Sequence, residues 1–246
     1  LVLAPQDEEA LKVLHREAGR HMAPIYAVDM DRLEKLEITE NGQRFSYRTS
    51  LGRLYEDQEL NLLGDFQLVN AATVLESIDA LADHLPSPRE LIRAAFKKVT
   101  MQGRFEVLQK NPLWIADVAH NPQGISALVD SVKTYFPKRK VSLLFVVFAD
   151  KEVEKMLKLL APIVEDYTVF HLDHKRALDR DKLVDYIEAM DPGKGIYIYD
   201  SLDDAVKHLQ TDRSEDSLIL SCGSLSFMGP LRSLVLGETV AGCQDV

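Results

Sequence analysis

The chain has 246 residues, 46% hydrophobic and 28% charged, with 29 Lys and Arg against 39 Asp and Glu for a net charge of −10. That composition excludes collagen-like, coiled-coil and wholly disordered classes, and the acidic balance disfavours non-specific nucleic-acid binding, whose affinity is built from accumulated cations. A chain this long buries roughly 70% of its unfolded surface and needs no staple. Its two cysteines, Cys222 and Cys243, belong to no CxxC or Cys/His cluster, which argues against a zinc site and a disulfide framework.

The longest apolar run, Val141 to Ala149 broken by Ser142, falls far short of the ~20 residues of a membrane span. No signal-peptide pattern opens the chain. The expectation is a cytoplasmic protein with no nucleic-acid and no membrane partner. The first residue is not Met, and Leu1–Val2–Leu3–Ala4 reads like the end of a buried strand, so the chain is expected to begin inside a domain.

In chain order, Pro5 suits a first helical turn, Leu11, Leu14 and Ala18 recur at helical spacing, and Gly19 is a stop. Leu36, Ile38, Phe45 and Tyr47 alternate with polar residues around Asn41–Gly42, a hairpin-turn dipeptide, and a second extended stretch runs from Leu51 to Leu62. Three antiparallel strands follow from this. Asp65 is expected to cap a helix whose apolar stripe is Leu68, Ala71, Ala72, Leu75, Ile78 and Ala82, with Gln67 and Asn70 on a shared flank. Ser87, Pro88 and Glu90 read as a capping box opening a helix with Leu91, Ile92, Ala95, Phe96 and Val99.

From Phe105 onward strand and helix alternate about five times, with Asn121–Pro122, Asp150 and Ser201 as helix starts and Val141 to Phe148 as a strand buried on both faces. This predicts an α/β fold with a doubly wound, mostly parallel sheet. The composition shift divides the chain into residues 1–103 and 104–246. The tail from Gly237 is polar and expected to fray.

Ligands of such sheets bind at the carboxyl ends of strands. One end is Asp117–Val118–Ala119–His120–Asn121–Pro122, where a carboxylate, an imidazole and a helix N-terminus converge. That group suits a ribose or a phosphate-bearing reactant, and equally a plain helix cap with a loop histidine. A second is Ser221–Cys222–Gly223–Ser224, which also suits an ordinary strand–helix turn with Cys222 as a small buried residue. No base neighbours Ser224 in sequence and no G-x-S-x-G elbow is present, which argues against a nucleophile. A third is Gln102–Gly103–Arg104, where the guanidinium can clamp a phosphate or simply be a surface arginine. No G-x-x-x-x-G-K-[ST] and no G-x-G-x-x-G occurs.

Taken in order, these motifs resemble the folylpolyglutamate synthase/dihydrofolate synthase family, relatives of the Mur ligases. Ala4–Pro5–Gln6 with Glu9–Ala10 resembles a late central-domain strand and helix, and Gly64 to Ala71 resembles the family's G-x-H-Q-x-x-N-A helix start. Gly103–Arg104–Phe105–Glu106 resembles its P-G-R-x-E linker, Asp117 to Pro122 its D-G-A-H-N-P signature, and Gly223–Ser224–Leu225 with Gly229 its G-S-L-Y-L-x-G close. Phe66 stands where the family has His, Met101–Gln102 where Pro is usual, and Val118 where it has Gly.

The resemblance implies an ATP-dependent amide ligase that joins L-glutamate to folate, or to dihydropteroate, through an acyl phosphate. It implies a Rossmann-like, Mur-type C-terminal domain from residue 104, preceded by the end of a P-loop ATPase domain, with the P-loop and the Mg²⁺ ligands in a part that precedes this chain. The isolated chain is then expected to be inactive and the full-length protein a monomer. By the same resemblance Gln67 and Asn70 lie beside the adenine or phosphates, Arg104 on the phosphates and Asp117 at the ribose or positioning the linker. His120 and Ser224 fall near the incoming glutamate and the acyl phosphate, and no metal ligand is expected here. A non-catalytic nucleotide-binding or interaction module on the same fold, or a Mur-type ligase with another acceptor, are the alternatives.

Overall fold

The computed structural model describes residues 1–211 and 216–237. Cys243 and all of the expected tail beyond Gly237 lie outside the described residues. The chain divides into two compact units, Leu1–Thr100 and Met101–Val246.

The first unit opens with β1 (Val2–Leu3), α1 (Glu8–Arg20) and β2 (Tyr26–Ala27), the two short strands pairing in parallel. Helix α1 starts after Asp7, whose backbone is extended, so Pro5 precedes the helix instead of occupying its first turn. Glu8 and Glu9 then sit in the first turn, where acidic side chains offset the helix dipole. Strands β3 (Leu33–Thr39), β4 (Gly42–Arg48) and β5 (Leu54–Leu60) form the expected antiparallel sheet, in that order. A register shift between Lys35 and Glu37 takes Leu36 out of the alternation, and it is 43% exposed.

Helix α2 (Asp65–Ala80) lays Leu68, Ala71, Ala72 and Leu75 against Phe45, Tyr47 and Tyr55 of the sheet and Ile92 and Phe96 of α3 (Arg89–Lys98). Two expected caps fail. Gly64 occupies the α2 cap, and the Asp65 carboxylate instead pairs with Lys35 Nζ at 2.8 Å. Pro88, held extended, is the cap residue of α3 and not its first helical residue, and the Ser87 hydroxyl donates to the Leu85 carbonyl, so no capping box forms.

The same α2 helix buries two carboxylates at i and i+3. Glu76 accepts the Tyr47 hydroxyl at 2.8 Å, and both the N–H and the hydroxyl of Ser50 at 2.7 Å. Asp79 accepts the Thr49 and Tyr55 hydroxyls and Arg53 Nε. Together they grip the turn between β4 and β5. Charge-assisted bonds of this kind are stronger than neutral ones, and removing the acceptor strands every donor at once.

The second unit contains β6 (Glu106–Lys110), β7 (Leu113–Ala116), α4 (Pro122–Tyr135), β8 (Lys140–Phe145), α5 (Val153–Leu160) and β9 (Val164–Phe170). It continues with α6 (Arg180–Met190), β10 (Gly195–Tyr199), α7 (Leu202–Gln210), β11 (Ser217–Cys222) and α8 (Met228–Leu236). They build the expected α/β architecture around a six-stranded sheet of order β10-β9-β8-β11-β7-β6. Every neighbouring pair is parallel except β6, which runs antiparallel along the edge beside β7. Strands β7 and β11 are buried throughout and β8 at all but Lys140, as strands covered on both faces must be.

Asn121 and Ser201 cap α4 and α7 through their side chains. Asp150 does not cap α5, which begins after Glu152; its carboxylate takes the Arg176 guanidinium at 2.9 and 3.1 Å. No described helix is long and apolar enough to cross a membrane.

Because Glu76 satisfies three donors, Glu76→Ala is expected to cost several kcal/mol (about 1–3 for each buried donor left unpaired). Urea denaturation followed by far-UV circular dichroism measures it, and a loss below about 1 kcal/mol means that Glu76 does not hold the turn.

Candidate functional site

Neighbouring strands β7 and β11 are parallel, with Ala116 opposite Ser221. Their ladder continues past both strand ends. Asp117 N–H donates to the Ser221 carbonyl at 2.9 Å and Gly223 N–H to the Ala119 carbonyl at 2.8 Å. The Trp114 indole N–H donates to the Ser221 hydroxyl. On the other side Val118 N–H donates to the Gly103 carbonyl at 2.8 Å. Three segments far apart in sequence, 103–105, 117–121 and 221–226, thus meet at one sheet edge.

Asp117 is buried, 4% exposed, and uses both oxygens on backbone: Oδ2 accepts Phe105 N–H at 2.8 Å and Oδ1 accepts Ala119 N–H at 2.7 Å. Burial pushes its carboxyl above the usual value of 3.8, while those two N–H groups and the positive charge of Arg104 pull the other way. The loop it holds presents His120 to solvent. His120 Nδ1 lies 2.9 Å from the Val118 carbonyl, an atom that only accepts, so Nδ1 carries a proton and the tautomer of the uncharged ring has its lone pair on Nε2. Asn121 Oδ1 accepts Gly124 N–H at 2.7 Å and closes the start of α4.

Gly223 has φ +109°, and a Cβ there would stand 2.3 Å from the Val146 carbonyl oxygen and 2.8 Å from the Phe145 ring. Only glycine lets β11 turn there. The turn delivers Ser224, whose buried hydroxyl accepts Ser226 N–H at 3.3 Å and lies 2.8 Å from the Ser226 hydroxyl, capping the short turn Leu225–Phe227. Cys222 is wholly buried, and burial together with Asp117 raises its thiol pKa. It is an inert packing residue.

Arg104 is exposed, and its positive charge is felt by the Asp117 carboxyl. The backbone around it is unusual. Gly103 has φ +67° and Phe105, a non-glycine residue, has φ +49°. The Phe105 ring is buried against Tyr135 and Phe136. Sequence reasoning missed two residues here. Glu106 Oε2 accepts Gly103 N–H at 2.7 Å, and Arg232 Nε reaches both Glu106 oxygens at 3.0 and 3.1 Å. The acid of the G-R-x-E motif was a signal for the first; no spacing in the chain points to Arg232.

In the first unit, Asn70 Nδ2 donates to Gln67 Oε1 at 2.9 Å, so the expected pair does meet. Gln67 is 2% exposed, and its Nε2 is buried without an acceptor. Among the described residues no group of three or more His, Cys, Asp and Glu side chains is gathered as a metal site requires.

The family model "Mur ligase, glutamate ligase domain" matches residues 103–225, half of the chain. The chain belongs to the Mur ligase family. Its glutamate ligase domain holds the D-x-A-H-N-P loop, Arg104 and Ser224 within the matched span. The chain is 29% identical over 241 residues to the dihydrofolate synthase/folylpolyglutamate synthase of Bacillus subtilis, covering 94% of itself and 54% of that protein. It is 32% identical over 187 residues to the protein of the same name from Mycobacterium tuberculosis, covering 74% and 38%. The solved M. tuberculosis folylpolyglutamate synthase complexed with ADP superposes with a TM-score of 0.84 at 28% identity, covering 95% of this chain and 54% of that one. The chain spans about half the length of the relatives it matches.

Gly223→Ala, which adds both backbone strain and a clash with a carbonyl, is expected to destabilise by about 3 kcal/mol or more, read as a lowered urea midpoint. For Asp117, a raised carboxyl pKa means the folded state holds its proton longer than the unfolded chain. Its contribution to stability is therefore complete below 3.8 and is lost as pH rises through the folded value. A carboxyl ¹³C NMR titration should give a midpoint above 3.8; a midpoint at or below it means the two N–H bonds outweigh burial.

Proposed function

We propose that this chain is one part of an ATP-dependent amide ligase that adds L-glutamate to folate, or to dihydropteroate, through an acyl phosphate. The observation that carries the reading is the sheet edge where one buried carboxylate holds both the His120 loop and the turn bearing the exposed Arg104. The names of the relatives, and the ADP in a structure similar over 95% of this chain, support it.

Each unit, taken by itself, offers groups that suit a nucleotide. In the first unit Gln67 offers a buried amide N–H without an acceptor and Asn70 stands beside it; in the second Arg104 offers an exposed guanidinium. When bound, ATP supplies the phosphoryl group that turns the acceptor carboxylate into an acyl phosphate, with ADP as the other product. In this reading Gln67 and Asn70 hold the adenine or phosphate side. Arg104 offsets the charge that builds on the phosphates, a fixed cation being most effective where charge develops. Mg²⁺ finds no ligand set among the described residues, and nothing here is routed through it.

The glutamate amine then attacks the acyl carbon. A C–N bond forms, the C–O bond to phosphate breaks, inorganic phosphate leaves with the electron pair, and the nitrogen loses a proton. His120 Nε2 is an acceptor suited to that proton, because the residue is exposed and the Val118 carbonyl takes the Nδ1 side of the ring. Asp117 reaches the backbone of Phe105 and Ala119, so of its two expected parts the structure favours positioning the linker and the His120 loop over binding the ribose. Ser224 shapes the turn at the same edge.

The test is ATP-dependent incorporation of labelled glutamate into folate or dihydropteroate. The isolated 246-residue chain, which contains no P-loop motif, is expected to be inactive, and the complete protein active. In the complete protein Arg104→Ala should lower kcat by on the order of 10²-fold. Glutamate addition by the isolated chain, or none by the complete protein with either acceptor, overturns the reading.

A further inference from the structure

We infer that Glu106, held in place by Arg232, is a positioning residue that sets the backbone from which Arg104 is presented. The inference rests on the reading of Arg104 as a phosphate contact.

Three observations support it. First, the residues on both sides of Arg104 have left-handed backbone, Gly103 at φ +67° and Phe105 at φ +49°. For phenylalanine that conformation is strained and persists only where the surroundings over-determine it. Second, each of these residues gives its N–H to a carboxylate: Gly103 to Glu106 at 2.7 Å and Phe105 to Asp117 at 2.8 Å. The Gly103 carbonyl is also taken, by Val118 N–H at 2.8 Å. Arg104 thus rides on a turn pinned on both flanks while its own side chain is left exposed.

Third, Glu106 is not an ordinary surface acid. Its side chain is 20% exposed and that of Arg232 17%. The guanidinium Nε reaches both carboxylate oxygens, at 3.0 and 3.1 Å, which fixes the rotamer that lets Oε2 reach back across Arg104 to the Gly103 amide. An ion pair serving stability alone has no need to accept a backbone N–H on the far side of the exposed cation. Arg232 stands on α8, the helix that follows the Ser224 turn, so the clasp ties the Arg104 turn to the element leaving the other half of the sheet edge. A misplacement of about 1 Å in a reacting group can cost on the order of 10²-fold in rate, which is the scale at which such a clasp matters.

The decisive experiment is a double-mutant cycle in the complete ligase, supported by amide hydrogen exchange on the ¹⁵N-labelled chain. Glu106→Ala is expected to lower kcat/KM for ATP by on the order of 10²-fold, and to cause no further loss in an Arg104→Ala background. Glu106→Gln keeps an oxygen for Gly103 N–H and should recover most of the lost rate, and Arg232→Ala should fall between the two. Exchange at Gly103 N–H should speed up in Glu106→Ala and stay slow in Glu106→Gln. If Glu106→Ala does not fold, the same cycle run with Arg232→Ala decides between the outcomes.

Equal losses from Glu106→Ala with and without Arg104, or unchanged exchange at Gly103, overturn the inference and leave the role of Arg104 standing. If Arg104→Ala is itself silent in a ligase that still adds glutamate, the phosphate role of Arg104 is wrong and this inference falls with it.

Discussion

The carboxylate of Asp117 reaches the backbone in two directions, to Phe105 before the sheet and to Ala119 in the loop after β7. Those two bonds join the Arg104 turn to the loop that carries His120. The β7–β11 ladder, running on through Asp117–Ser221 and Gly223–Ala119, then brings the Ser224 turn to the same edge. A charged group placed in a protein interior is costly unless its lone pairs are met. Here strong backbone donors meet both oxygens, and the charge becomes a clamp. Its titration is pushed upward because the compensation does not wholly offset the lost water.

The first unit uses the same device on a different element. Glu76 and Asp79 are buried on α2, and their oxygens organise Thr49, Ser50 and Arg53 in the turn between β4 and β5. Part of the acidic balance of the chain is therefore structural. These carboxylates hold turns, where hydrophobic packing has little surface to act on. The apolar work is done elsewhere, by the α2 stripe against Phe45, Tyr47 and Tyr55 and by the fully buried strands of the parallel sheet.

Chemically, the sheet edge separates what is fixed from what is available. Asp117, Ser224 and Cys222 are buried and committed, whereas Arg104 and His120 are exposed. That division leaves a cation and an imidazole accessible beside buried groups that hold their backbone. Membership of the Mur ligase family, through the glutamate ligase domain matched over residues 103–225, is consistent with it.

Much of this is legible in the chain alone. Period-two and period-3.6 patterns locate most of the elements, because burying an apolar face imposes those spacings, and the ordered motifs from Ala4 to Gly229 carry the family resemblance. The expected caps at Asp65, Ser87 and Asp150 fail for one reason: each side chain finds a different partner, Lys35, the Leu85 carbonyl and Arg176, and such partners cannot be ranked from local sequence. Strand β6 escapes a reading by pattern because a five-residue edge strand with only Val107 and Leu108 apolar carries little periodicity. The candidate site residues Arg104, Asp117, His120 and Ser224 can be named from local motifs, since a strand end and a glycine turn are local features. Folding alone sets the left-handed backbone at Phe105 and the reach of Arg232 to Glu106 across more than a hundred residues, because each depends on a hydrogen-bond partner that only the closed sheet brings near.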